Sequence, residues 1–220
     1  MRGKEVSRLE AFSDILFGFA LTLLVVALEV PENFDGLMTA LRGFPAFAAT
    51  FTVAIWLWYN HYRFFRTFAM EDGATIFINS LLMFVVLFYV YPLKFVFAGM
   101  LGPADTLHEL TTDQGRFLIR VYDLGFIAIF GLLGTLHWNG LRLRERYSWD
   151  ALERFDLGAG VRTHLVSAGV GVGSLILTFV LPGELVGVAG FFFFLLGPVH
   201  WANGVMVGRK RKALVAELAG

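Results

Sequence analysis

The sequence predicts an all-α integral membrane protein with six transmembrane helices and both termini on the cytoplasmic side. Three observations carry this. First, 57% of the 220 residues are hydrophobic and only 16% are charged, with 24 phenylalanines and a mean hydropathy of +0.67. A soluble domain is nearer 45–50% apolar and about 25% charged, and one of this size cannot hide so much apolar surface. Second, the apolar residues fall into six stretches of membrane-crossing length, about 20 residues each. Third, the basic residues concentrate in one of the two alternating sets of connecting segments.

The first span runs over residues 9–30, the second over 44–68 and the third over 75–100. The fourth covers 117–141, the fifth 158–181 and the sixth 184–208. The first is too long and too polar at its start for a cleaved signal peptide, and it has no small-residue cleavage site. Connections are short, so residues 1–220 are expected to form one six-helix transmembrane domain with no separate soluble part.

One set of segments holds Arg2, Lys4, Arg8, Arg63, Arg66, Arg142, Arg144, Arg146, Arg154, Arg162, Arg209, Lys210, Arg211 and Lys212, which is 14 of the 18 basic residues. The other holds Arg42, Lys94, Arg116 and Arg120 beside Glu29, Glu32, Asp35, Asp105, Glu109, Asp113 and Glu184. Basic segments stay cytoplasmic, which puts both ends inside. The cluster Arg209–Lys212 is read as a topology anchor in preference to a lipid-specific site.

Lys and Arg balance Asp and Glu at 18 each, so no net basic field favours nucleic acid. Cysteine is absent, which excludes disulfides, thiolate metal sites and cysteine nucleophiles. The stretch GVGVGS at residues 169–174 lacks the strand–turn–helix context and the Lys-Ser/Thr ending of a nucleotide loop. Gly131 and Gly134 in the fourth span, and Gly169, Gly171 and Gly173 in the fifth, are expected to let helices approach closely. The run Phe191–Phe194 is expected to face lipid or pack in the core.

Polar groups within apolar spans locate function or a structural lock. The first span opens RLEAFSD, Arg8 to Asp14. A helix beginning at Leu9 places Ser13 and Asp14 about one turn deep; the alternative is an N-cap at the interface. The second, fourth and sixth spans each carry a histidine near the inner end: His61 after Asn60, His137 before Trp138 and Asn139, and His200 with Trp201 and Asn203. All of these should share one depth with Arg8, Ser13 and Asp14. The expected arrangement is a hydrogen-bonded lock joining the first span to its neighbours.

A three-histidine, one-aspartate metal site is the rival, weakened by the lack of a second carboxylate and of a His-x3-His pair. An intramembrane hydrolase finds no nucleophile elbow. His108 and His164 read as solvated loop or interface residues.

Beyond Asp14, Phe19, Thr22 or Leu23, and Val26 recur at helical spacing. They form an apolar stripe carrying one hydroxyl. The stripe either packs against other helices or, repeated around a symmetry axis, forms a ring that gates by dewetting.

RLEAFSD resembles the Arg-x-x-x-Phe-Ser-Asp signature of the transmembrane protein 175 family of potassium channels. Trp58-Tyr59-Asn60-His61 with Phe64 resembles that family's second helix, and Asn79 and Pro92 fall where its third helix has an Asn and a Pro. The resemblance covers the first three spans in order, and six spans is the number in bacterial members. It implies a potassium-selective or potassium-permeable channel of the cell (plasma) membrane. It also implies a homotetramer in the lipid bilayer, with the first helix of each subunit lining the pore and no pore loop. No TVGYG-type filter occurs in this sequence. It implies constriction positions at Phe19, Leu23 and Val26, a selectivity position at Thr22, and a packing lock of Arg8, Phe12, Ser13 and Asp14 with His61. No cofactor and no enzymatic activity are implied; the ligand is a permeant monovalent cation, K+. Phe19 departs from the aliphatic residue usual in the family, and four phenyl rings could close a pore more tightly or rotate to open it. The functional alternative is a proton pathway or proton-coupled transporter using Asp14 and the inner histidines.

Overall fold

A computed structural model describes residues 2–3, 5–26, 31–101 and 111–219. Six membrane-length helices account for most of it: α1 (Arg8–Val26), α2 (Phe34–Phe68), α3 (Gly73–Leu101), α4 (Thr112–Arg142), α6 (Ala151–Val180) and α8 (Leu196–Ala219). The short helices α5 (Arg144–Tyr147) and α7 (Gly187–Phe191) lie between them. No strand occurs among the described residues.

Local chemistry sets the helix ends. Asn33 caps α2, its Oδ1 accepting from Gly36 N at 2.8 Å. The helix ends at Ala69, held left-handed at φ 48°, whose N–H returns to the Phe65 carbonyl. Thr111 with Gln114, and Asp150 with Glu153, form reciprocal capping boxes at the starts of α4 and α6. Residues 27–30, at the end of the expected first span, lie outside the described residues.

Several helices extend beyond the expected spans, α6 starting at Ala151 and α8 ending at Ala219. α2 begins at Phe34, not Phe44, and runs through Pro45. At 35 residues it is about 52 Å long, so it overshoots the hydrocarbon core, about 30 Å thick. The sixth span is not one uniform helix: 3-10 turns occupy Gly183–Leu185 and Phe192–Leu195. Phe192 meets Gly173 and Phe193 packs edge-to-face on Tyr122 and Phe126, while Phe191 and Phe194 point outward.

α1 packs on α2 and α3, α3 on α4, α4 on α6, and α6 on α8. An aromatic core fills the centre, with Phe64, Phe65, Phe68, Phe126 and Phe130 buried beside Leu82, Leu133 and Leu136. Apolar side chains on the outside, such as Phe77, Phe84 and Phe88 on α3, are as exposed as polar groups are on a soluble protein. That inversion suits a lipid solvent.

Glycines mark some of the close approaches. Gly171 faces Phe126 and Ile127, Gly134 faces His164, and Gly173 receives Phe192. Gly131 and Gly169, expected to do the same, meet nothing within 4 Å. The tightest approaches are at Gly125 and Gly160, where an added Cβ would come 2.3 Å from the Tyr89 ring and 2.0 Å from the His137 ring.

Candidate functional site

α1 has two faces. Glu10, Ser13, Phe17, Ala20 and Leu24 recur every third or fourth residue and are buried against α2 and α3. Phe12, Ile15, Phe19, Leu23 and Val26 recur on the opposite face and are exposed, Phe19 at 58% and Val26 at 71%. Thr22 lies on that exposed face, its Oγ1 donating to the Gly18 carbonyl at 2.8 Å. Its own helix thus takes the hydroxyl proton and leaves the oxygen lone pairs outward.

The buried face carries a polar chain through three helices. His61 Nε2–H donates to Asn79 Oδ1 at 2.8 Å. Asn79 Nδ2 donates to Ser13 Oγ at 2.8 Å, and Ser13 Oγ donates to the Leu9 carbonyl at 2.9 Å. All three side chains are buried. Next to it, Trp58 Nε1 donates to Asp14 Oδ1 at 2.8 Å. Ser13 and Asp14 are therefore within α1, bonded to neighbouring helices rather than acting as N-caps; the capping oxygen is Ser7 Oγ, which accepts from Glu10 N.

The expected lock differs in membership. Arg8 is exposed and makes no ion pair or hydrogen bond among the described residues, and Phe12 is exposed on the other face. The cation that reaches α1 is Arg66, 3.5 Å from the buried Glu10. His137 and His200 stand apart because α2 and α3 lie between them and α1. His137 Nδ1 donates to the Leu133 carbonyl of its own helix, and His200 Nε2 pairs with Ser167 Oγ at 2.9 Å.

His164, expected in a solvated position, is instead buried, its ring 4.9 Å from that of His137. The extensive contact between α4 and α6 encloses it. His108 lies outside the described residues. Among the described residues no group of three His, Cys, Asp or Glu side chains is placed to hold a metal ion.

Sequence reasoning missed a second polar cluster at the basic end. Asp72, buried between α2 and α3, accepts from Thr75 Oγ1 at 2.6 Å, Thr75 N at 3.1 Å and Asn139 Nδ2 at 3.2 Å. Burial pushes its carboxyl up, but these hydrogen bonds outweigh burial and hold it below the ordinary 3.8. Arg2 extends the cluster. It pairs with Glu153 and lies 4.4 Å over the Trp149 ring. Asp72 follows a helix C-cap and precedes a helix start, a pattern visible in the sequence; its partner on α4 is not.

The fold and this geometry define a six-span membrane protein whose N-terminal helix is anchored by polar contacts on one face and left uncovered on the other. The chain belongs to the TMEM175 family of potassium channels. Residues 8–89 match the family described as endosomal/lysosomal potassium channel TMEM175. A protein of Marivirga tractuosa named potassium channel is 32% identical over 230 aligned positions, covering 98% of this chain and 93% of that protein. A potassium channel of Chamaesiphon minutus is 27% identical, over 84% of this chain and 89% of its own length.

Among solved structures, a variant of the potassium channel MtTMEM175 bound to a Nanobody–MBP fusion superposes with a TM-score of 0.81 at 31% identity. That match covers 94% of this chain and 96% of the other. A lysosomal potassium-selective channel TMEM175 homolog from Chamaesiphon minutus gives a TM-score of 0.60 at 25% identity, covering 89% and 96%. The family and these relatives are named as ion channels and not as enzymes.

Proposed function

We propose that this protein is a potassium-permeable channel of the cell (plasma) membrane, assembled as a homotetramer with α1 of each subunit around a central pore. The observation that carries this reading is the two-faced α1. One face is fixed by buried polar and apolar contacts, and the other, with Phe19, Thr22, Leu23 and Val26, is left exposed by the described residues. A single helix encloses no water, but a closed ring of copies does.

In that ring Phe19, Leu23 and Val26 form an apolar constriction. A cation crossing it must shed water, so a narrow ring empties and closes by dewetting. Thr22 supplies the one polar level. Its outward lone pairs can replace part of a K+ hydration shell, which makes it the position for selectivity. The polar chain from Ser13 through Asn79 to His61, and the Asp14–Trp58 bond, fix the rotation of α1 and so decide which residues face the axis.

Purified protein in K+-loaded liposomes should show a K+ flux that increases in Phe19→Ala and changes its ion preference in Thr22→Val. Native mass spectrometry should count four copies. A single protomer, or no flux from either wild type or Phe19→Ala, would overturn the proposal. Proton-coupled uptake abolished by Asp14→Asn would favour the transporter reading instead. Against that reading, Asp14 accepts from Trp58 of α2 and His61 donates to Asn79 of α3, so both are engaged in contacts between helices of one subunit.

A further inference from the structure

Asp123 has no role in the α1 site. It sits on α4, roughly 16 Å along the helix from Thr112 and toward the acidic side of the bundle. It is fully buried at 0% exposure, and neither carboxyl oxygen has a hydrogen-bond partner among the described residues.

The groups around it come from three helices. On α3 it faces the buried Tyr89, whose ring lies 5.6 Å from that of Tyr122. On α4 the neighbouring ionisable group is Tyr122. On α6 it faces Ser174, whose Oγ donates away to the Ala189 carbonyl at 3.0 Å. The cations on this stretch of α4 are committed elsewhere. Arg120 donates to Thr178 Oγ1 at 3.0 Å and to the Thr178 carbonyl at 3.2 Å, and its guanidinium lies 3.8 Å over Phe179. Arg116 donates to the Thr178 and Leu181 carbonyls at 3.1 and 3.2 Å. Both arginines complete the C-terminal end of α6, where carbonyls lack helical partners.

The hydroxyl near enough to offset burial of this carboxyl is that of Ser174, which is committed to Ala189, and a carboxylate enclosed this way neutralises rather than stays charged. A neutral carboxyl needs a single acceptor, and the Tyr89 and Ser174 oxygens are the ones that face it. We propose that Asp123 is a proton-binding site, carried as a carboxylic acid between α3, α4 and α6, and that loss of this proton loosens their packing. In the step the carboxyl O–H bond breaks, the proton passes to water, and a carboxylate remains.

Infrared spectroscopy of the full-length protein in lipid, with carbon-13 in the aspartate carboxyls, tests this. Wild type at neutral pH should show an isotope-shifted protonated C=O band that is absent from Asp123→Asn. Asp123→Glu, which keeps an acid at the site, should also lose the shifted band, so the assignment survives if the amide variant fails to fold. As pH rises above the ordinary carboxylate range, wild type should lose about tenfold in its folded-to-unfolded ratio per pH unit until the site ionises. Asp123→Asn should lack that slope. No protonated aspartate band in wild type, a band that persists in Asp123→Glu, or an equal slope in Asp123→Asn would each overturn the proposal.

Discussion

Asn79 is the residue on which the α1 contact turns. It accepts from one helix and donates to another, so α2, α3 and α1 share one amide. Asn79→Ala leaves the His61 Nε2–H buried without an acceptor and should destabilise the detergent-solubilised protein by about 1–3 kcal/mol in denaturant unfolding. Ser13→Ala should cost less, because Asn79 then loses an acceptor but keeps its bond to His61.

Asp72 gives a pH dependence of the opposite sign to that proposed for Asp123. Its native carboxyl is held below 3.8, so between the native and unfolded values the unfolded chain binds more protons. The stabilisation is fully present above about pH 4 and is lost as pH falls through the native value. Thermal unfolding midpoints followed from about pH 6 to 3 should drop in wild type. Asp72→Asn should start lower and stay flatter over the same range.

At the scale of elements, the bundle depends on where backbone is bare. His137 lies against Gly160, where an added Cβ would come 2.0 Å from its ring carbon, so Gly160→Ala must separate α4 from α6. A loss of about 1–3 kcal/mol is expected, as for overpacking in a filled core. Gly158, two residues earlier on the same helix, meets nothing within 4 Å. Gly158→Ala should be neutral or stabilising by up to about 1 kcal/mol through helix propensity. Equal melting shifts for the two variants would show that α4 and α6 are not packed as described. The arginines on α4 act at the same scale: Arg116 and Arg120 close the carbonyl end of α6, so two helices are joined at both ends by different chemistry.

At the scale of the molecule, the uncovered face of α1 separates folding from function. Phe19, Leu23 and Val26 make little of the protomer's own core. Leu23→Ser should therefore leave the unfolding of the isolated protomer within about 0.5 kcal/mol of wild type. In liposomes the same change places a hydroxyl in the proposed ring and should raise K+ flux by easing dewetting. Leu24→Ser, one residue on and buried at 1% exposure, should do the reverse, lowering stability first. A protomer destabilised equally by both would remove the distinction between the two faces.

Much of this architecture is legible in the chain itself. Composition, span length and basic asymmetry specify six membrane helices because lipid imposes one rule on every segment: the backbone must satisfy itself and the surface must be apolar. The period of Phe19, Thr22, Leu23 and Val26 is equally local, since a helix places them on one side wherever it goes. The partners of polar groups are not legible. Ser13, Asp14 and His61 can be named as intramembrane polar residues, but nothing local says that Asn79 joins them, that Glu10 takes Arg66 while Arg8 stays outside, or that His164 is enclosed with His137. Those pairings depend on which helices become neighbours and at what rotation. That is settled by close packing of side chains distant in sequence, such as Phe192 on Gly173, and so by the tertiary structure alone.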